Sequence, residues 1–335
     1  MKTITVIGAG SWGTALAEVQ ARLGHKVFLW DKDTDILADI AKTRQNRRYH
    51  PGHRLSKNVI VESDLRRPVH RSDLVVLAVP SFSIRDALTK VAPCLKTDAI
   101  VVSTAKGIET ETLETPSAVA LEVLGKKETT RRYAVLSGPS FAHEVIRSLP
   151  TAVTVAAFDR KTAKRVQDLC HTDTFQIYTS DDVIGVELAG ALKNVIAIAA
   201  GAIDGLGFGF NARAALITRG LAEILRIGVK KGANPLTFSG LSGLGDLFLT
   251  CTGDLSRNRR VGLKLAQGKS LRVALKEVRQ VVEGIRTAKA AYRLARTLRV
   301  DAPIIEETYL TLHEGKSLAQ AIKDLLARAP EAERH

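Results

Sequence analysis

A short β-branched run, Thr3 to Ile7, passes directly into the hexapeptide GAGSWG at residues 8–13, and this junction limits the possible folds more than any other stretch. Helical spacing follows in TALAEVQARLG, which stops at Gly24, and KVFLW forms a second apolar segment just before Asp31. Strand, glycine turn, helix and strand within about thirty residues is the unit that binds a dinucleotide, and that context is what gives G-x-G-x-x-G its weight. Gly8 suits a tight turn, Gly10 lets the backbone approach a pyrophosphate, and Gly13 permits close packing of helix on strand. The helix start then offers free N–H groups to phosphates. A glycine turn without a ligand is the competing reading, and the flanking elements weigh against it.

The alternation continues through NVIVES (58–63), DLVVLAVP (73–80), AIVVSTAKG (99–107), YAVLSGPSFA (133–142) and TAVTVAA (151–157), with helical stretches between several of them. Apolar strands that do not alternate with polar residues imply a parallel sheet covered on both faces, with ligands at the carboxyl ends of its strands. Pro80 with Ser81, Lys106 with Gly107, and Gly138 with Ser140 stand at such ends. From Asp181 onward the periodicity is helical. The expected architecture is an α/β Rossmann-like domain over residues 1–180 and an all-α domain over 181–330, with PEAERH as a frayed tail.

Residues 183–203, VIGVELAGALKNVIAIAAGAI, form a small-residue, apolar helix with Lys193 in its middle and Asp181 and Asp182 as candidate caps. Val186, Ala189, Gly190, Lys193 and Ala197 share one face, and Glu187, Ala191 and Asn194 the neighbouring stripe. The lysine can snorkel, pair with Glu187 or another carboxylate, or act as an acid and base whose pKa burial lowers. Later, SGLSGLGDLFLTCTGDLSRN (239–258) places Asp246 at one helix start and Ser256, Arg257 and Asn258 at another. A cap, a guanidinium fork and an amide at a helix N-terminus suit a phosphate, while an ordinary cap beside a solvated arginine is the plainer alternative.

The balance of 49 Lys+Arg against 35 Asp+Glu, net +14, favours an anionic partner. The basic residues are scattered, and no nucleic-acid-binding motif accompanies them, so nucleic acid is not expected. Glu187, Lys193 and Asn194 interrupt the longest apolar run, which argues against membrane embedding. Cys94, Cys170 and Cys251 lack the paired spacing of a metal or disulfide framework, so no metal is expected. The opening residues lack the apolar segment of a signal peptide, and the expected location is cytoplasmic.

GAGSWGTALA, STAKGIE, SGPSFAHE, the stretch from GVELAGALKN to LITRGLAE, GLGDLFLTCTGDLSRNRRVG and QVVEGIRT together make the chain resemble the bacterial-type NAD(P)-dependent glycerol-3-phosphate dehydrogenases over residues 3–325. The resemblance implies reversible reduction of dihydroxyacetone phosphate, a small phosphorylated substrate, to sn-glycerol 3-phosphate, a precursor of phospholipids, with NAD or NADP; separately, the apolar helical domain suggests a homodimer. It puts Lys193 at the position of the proton donor and acceptor, with Lys106 and Asp246 beside it. It assigns substrate contacts to Lys106, Gly138, Ser140, Lys193, Asp246, Ser256, Arg257 and Asn258. Cofactor contacts fall to Ser11, Trp12, Lys32, Lys106, Ala142, Arg257, Val281 and Glu283. Asp31 departs from the glycine or alanine common there; its carboxylate favours a ribose 2′-hydroxyl, while Lys32 or Arg48 favours a 2′-phosphate, so both cofactors stay open. Another short anionic hydroxy compound as substrate, or a non-enzymatic dinucleotide-sensing or polyanion-binding protein, are the alternatives.

Overall fold

Eight strands, β1 (Thr3–Ile7), β2 (Lys26–Trp30), β3 (Val59–Val61), β4 (Leu74–Leu77), β5 (Ile100–Ser103), β6 (Tyr133–Ser137), β7 (Thr151–Ala157) and β8 (Phe175–Ser180), form one sheet in a computed structural model that describes residues 1–329. The tail PEAERH lies outside the described residues. The order is β3-β2-β1-β4-β5-β6-β7-β8, and β1 to β6 are parallel to their neighbours. β1 and β4 are adjacent, with β2 and β3 running off to one side and β5 and β6 to the other, so the chain reverses direction of growth beside the glycine turn.

The sheet is not wholly parallel. β7 runs antiparallel to β6, and β8 returns parallel to β7. YAVLS and TAVTVAA have the same unalternating apolar texture because burial on both faces, and not strand direction, sets that texture. β8 is a strand the sequence reading omits. It is an edge strand in which Phe175 and Ile177 are buried while Gln176 and Tyr178 face outward, and its FQIYTS carries only two core residues.

One helix, Val183–Gly205, runs through both halves of the molecule. The Asp182 side chain accepts from the Gly185 N–H at 2.9 Å and fixes its start, whereas Asp181 pairs with Arg160. Val183 and Val186 join the apolar cluster of the sheet, and Leu188 to Ala200 join the cluster of the helical half. Helices Gly209–Lys230, Asp246–Thr252, Arg257–Ala266 and Glu283–Leu298 pack around it. The crossing with Arg257–Ala266 demands glycine: a Cβ on Gly201 would stand 2.0 Å from the Arg259 carbonyl oxygen. This is the one helix of the described residues long and apolar enough to cross a membrane, and it is buried inside the protein.

Glu187 ties that helix to the sheet. Its carboxyl accepts from Ser117 Oγ at 2.6 Å and Tyr133 OH at 3.0 Å, and burial pushes its pKa up to about 7 against those hydrogen bonds. Lys193 is not its partner. A folded-state pKa above the unfolded value means that the folded form holds the proton more tightly, so stability is full below the unfolded pKa and declines as pH rises toward about 7. Glu187→Gln removes that decline. In urea titrations the stability of Glu187→Gln relative to the parent should rise between about pH 5 and about pH 8; a difference independent of pH would refute this.

Candidate active site

The glycine turn is built as its spacing requires. Gly8 has φ +110°, and a Cβ there would meet the Ala78 carbonyl oxygen of the adjoining strand end at 2.5 Å. A Cβ on Gly13 would fall 1.9 Å from the Gly8 carbonyl oxygen, so helix Ser11–Arg22 sits directly against the turn. Gly10 is different: nothing lies within 4 Å of a Cβ built on it, and no side chain caps the helix that follows. An open approach beside uncapped N–H groups fits the pyrophosphate of a dinucleotide. Trp12 stands in the first turn and packs against Phe175, ring centroids 6.4 Å apart. Asp31 at the end of β2 accepts from the Ala9 N–H at 2.6 Å, which braces the glycine turn, and its other oxygen accepts from the Asp33 N–H at 2.9 Å within its own loop. Lys32 is exposed, and Arg48 pairs with Asp33 at 3.0 Å.

Across the cleft, three ionisable groups meet. Asp246, 1% exposed at the start of helix Asp246–Thr252, takes Lys193 Nζ on Oδ1 and Lys106 Nζ on Oδ2, the latter at 2.8 Å. Lys193 also donates to Thr250 Oγ1 at 2.7 Å, and Lys106 to the Gly138 carbonyl at 3.0 Å. The lysines come from different halves, Lys106 from the loop after β5 and Lys193 from the central helix. Gly190, one turn before Lys193, makes room: a Cβ there would stand 2.7 Å from Ser137 Oγ and 3.6 Å from Lys106 Cγ.

Burial pushes the Lys193 ammonium down from 10.5 to about 7; Asp246 opposes the shift and the Lys106 charge adds to it. An amine that titrates near neutrality in a shielded pocket can release and recover a proton at working pH. When all three groups are ionised, two cations face one carboxylate, and the surplus positive charge suits an anion.

The phosphate candidates lie at the start of helix Arg257–Ala266. Ser256 Oγ accepts from the Arg259 N–H at 3.3 Å as an N-cap. Arg257 is exposed and forms no ion pair among the described residues, whereas Arg259 pairs with Asp204 and Asp254. Asn258 is committed: it donates to Asn194 Oδ1 at 2.8 Å and accepts from the Gly284 N–H at 3.0 Å. Asn194 in turn donates to the Lys106 carbonyl at 3.0 Å. Glu283 accepts from Ser81 N–H at 2.9 Å and Ser81 Oγ at 2.6 Å, joining the two halves beside the turn after β4. Val281 is exposed on that side, and Ser140 donates back to the Gly138 carbonyl at 3.0 Å.

Comparison with known proteins settles the family. The model for the N-terminus of NAD-dependent glycerol-3-phosphate dehydrogenase matches residues 3–163, and the model for its C-terminus matches residues 182–323. The chain belongs to the NAD-dependent glycerol-3-phosphate dehydrogenase family. It is similar to the glycerol-3-phosphate dehydrogenase (NAD(P)+) of Citrifermentans bemidjiense, 50% identical over 98% of both chains. The relative of that name from Syntrophobacter fumaroxidans is 52% identical, over 97% of this chain and 95% of its own. A crystal structure of glycerol-3-phosphate dehydrogenase from Coxiella burnetii superposes with a TM-score of 0.93 at 38% identity, covering 98% of this chain and 99% of that one.

As a member of this dehydrogenase family the chain uses a nicotinamide dinucleotide, NAD or NADP. The cradle also contains residues that the sequence reading passes over. Asn46 donates to the Ala9 carbonyl and to Thr14 Oγ1, each at 2.8 Å, and His50 Nε2 meets the Ser11 carbonyl at 2.8 Å. Both are buried and brace the glycine turn from the segment between helix Thr34–Thr43 and β3. In the sequence they sit within RQNRRYH, where the arginines suggest only a solvated basic cluster. Ser81 was visible as a strand-end residue, but its tie to Glu283 spans 202 positions. Thr250, one turn after Asp246, is the hydroxyl that a helical count from Asp246 would have found.

Proposed function

We propose that the chain reduces dihydroxyacetone phosphate to sn-glycerol 3-phosphate, and runs the reverse reaction, with Lys193 as the group that gives and takes the proton on the C2 oxygen. The observation that carries this is the shared carboxylate of Asp246, which holds a buried, easily deprotonated Lys193 against Lys106 at the mouth of the dinucleotide cradle. Bound NAD(P)H supplies the hydride that reaches C2. Lys193 delivers its proton to the oxygen, and Asp246 and Thr250 keep the resulting amine aimed at it. Lys106, from the opposite wall, stabilises negative charge developing on the same oxygen. Arg257 and the first-turn N–H groups of its helix that Ser256 does not cap receive the phosphate.

The remaining ties, Ser81 to Glu283 and Asn194 to Lys106 and Asn258, keep the two walls in register so that reacting atoms meet without a large search. Loss of NADH and NADPH absorbance at varied dihydroxyacetone phosphate tests the activity and ranks the cofactors. The reading falls if neither rate depends on that ketone. Arg257→Ala should raise KM for dihydroxyacetone phosphate by about tenfold to a hundredfold, the worth of a charge-assisted phosphate contact. Because Arg257 is also an expected cofactor contact, NAD(P)H should weaken by less than dihydroxyacetone phosphate does, and an unchanged KM would remove Arg257 from the phosphate site.

The same reading makes the product a backbone for glycerophospholipids and the setting the cytoplasm, where a reducing milieu suits the free thiols of Cys94, Cys170 and Cys251. A homodimer is supported by the apolar side chains of Leu206, Phe208 and Phe210, exposed at the turn between the central helix and helix Gly209–Lys230. Sedimentation equilibrium reads the assembly directly, and a monomer at micromolar concentration would count against it.

A further inference from the structure

Beyond β6 the sheet borders a second concavity. A groove of about 400 Å³ lies between β7 with β8 and the helical turn Leu241–Gly245, which continues without a break into Asp246–Thr252. Its lining includes none of Lys106, Lys193, Asp246 and Arg257. Thr154 and Tyr178 are register partners on neighbouring strands, so their side chains share a face of the sheet, and Val186 and Ser242 complete the wall on the helical side.

Its polar groups are left unused by the protein. Ser242 is 2% exposed and Thr154 9% exposed, both border the groove, and neither hydroxyl has a hydrogen-bond partner among the described residues. Neither hydroxyl oxygen is sealed from solvent, so each is free to bond a ligand in the groove. Beside them the helical run starts at Gly240 with no side-chain cap, which leaves its first N–H groups free. No charged side chain lines the space, so a phosphorylated or carboxylated ligand would find no counter-ion there. Tyr178, 54% exposed, offers the face of a ring.

We propose that this groove is a second ligand site, for a neutral polyhydroxylated ring about the size of one sugar unit, a pyranose or cyclitol. Its hydroxyls meet Thr154, Ser242 and the free N–H groups, and its C–H face lies on Tyr178. The volume falls in the range of pockets that hold small ligands. The claim is independent of the catalytic reading: a parent chain without activity would sink that reading and leave this one standing.

Saturation-transfer NMR with myo-inositol and methyl α-glucoside on the full chain tests it. At least one probe should bind saturably in the millimolar range, with the same affinity when dihydroxyacetone phosphate and NADH are present. Thr154→Val and the surface change Tyr178→Ala should each weaken it about tenfold at an unaltered melting temperature, the loss expected for one hydrogen bond or one stacked ring. Absence of saturable transfer from both probes overturns the proposal, as does displacement by dihydroxyacetone phosphate or binding that survives both substitutions. A shift from dimer to monomer in Tyr178→Ala would likewise overturn it, by making the groove a contact between copies of the chain.

Discussion

Lys193→Met should lower kcat for dihydroxyacetone phosphate reduction by about a thousandfold or more while NAD(P)H still binds with parental affinity. General acid catalysis by one positioned group contributes about 10²–10⁴-fold, and Lys193 contributes charge as well as a proton. Methionine fills the same shaft of the central helix without an ammonium, so the change leaves packing nearly intact. The removed cation leaves Asp246 with Lys106 as its ion partner at 2.8 Å, which limits the cost to stability. Stopped-flow measurement of bound NADH turning over once separates chemistry from binding. A single-turnover rate within about tenfold of the parent would show that the proton comes from elsewhere.

The second large effect separates two glycines that a sequence motif treats alike. Gly13→Ala should destabilise the chain by on the order of 3 kcal/mol, as overpacking against rigid backbone does. The reason is that its Cβ would lie 1.9 Å from the Gly8 carbonyl oxygen and 3.0 Å from Ala78 Cβ. Gly10→Ala should leave the melting temperature close to that of the parent, because its Cβ would project into open space. It should nevertheless weaken NAD(P)H by about tenfold or more, since that space is where the pyrophosphate must approach the backbone. Equal melting temperatures and equal cofactor affinities for the two variants would contradict this assignment of roles.

The parts of the molecule legible in the sequence are those where local pattern and chemistry coincide. GAGSWG between two apolar runs states a turn, a helix start and a ligand in six residues. Lys193 stood out because a charge in an otherwise apolar helix needs a reason, and the structure places it on Asp246, the carboxylate at the helix start read from GLGD. What the sequence concealed depends on distance or direction. The reversal of β7 leaves no trace in TAVTVAA because a strand buried on both faces looks the same in either direction. Asn46 and His50 act through hydrogen bonds to backbone 37 and 39 positions away, and no periodicity reports such bonds. Glu187 does not pair with Lys193, because six positions set the two about 120° apart around the axis of one helix. Its actual partners, Ser117 and Tyr133, arrive from a helix and a strand far earlier in the chain.

Asp31 carries a further lesson. As a residue at the end of β2 it suits a ribose hydroxyl, but here each of its oxygens already accepts a backbone N–H. Each carboxylate oxygen can accept more than one hydrogen bond, so a ribose contact and the bracing of the turn are compatible, and rates with the two cofactors remain the arbiter of preference.

The most direct test of Lys193 as the proton-transferring group is the pH dependence of kcat in both directions, for the parent and for Asp246→Asn. Reduction needs the ammonium, so its kcat should fall as pH rises through an apparent pKa at or above about 7, a bound phosphate dianion raising the value of the free enzyme. Oxidation needs the neutral amine and should rise over the same interval. Because the Asp246 charge holds the lysine pKa up, Asp246→Asn should move both limbs to lower pH. A reduction rate that climbs with pH across this interval, or limbs that stay in place in Asp246→Asn, would contradict the account.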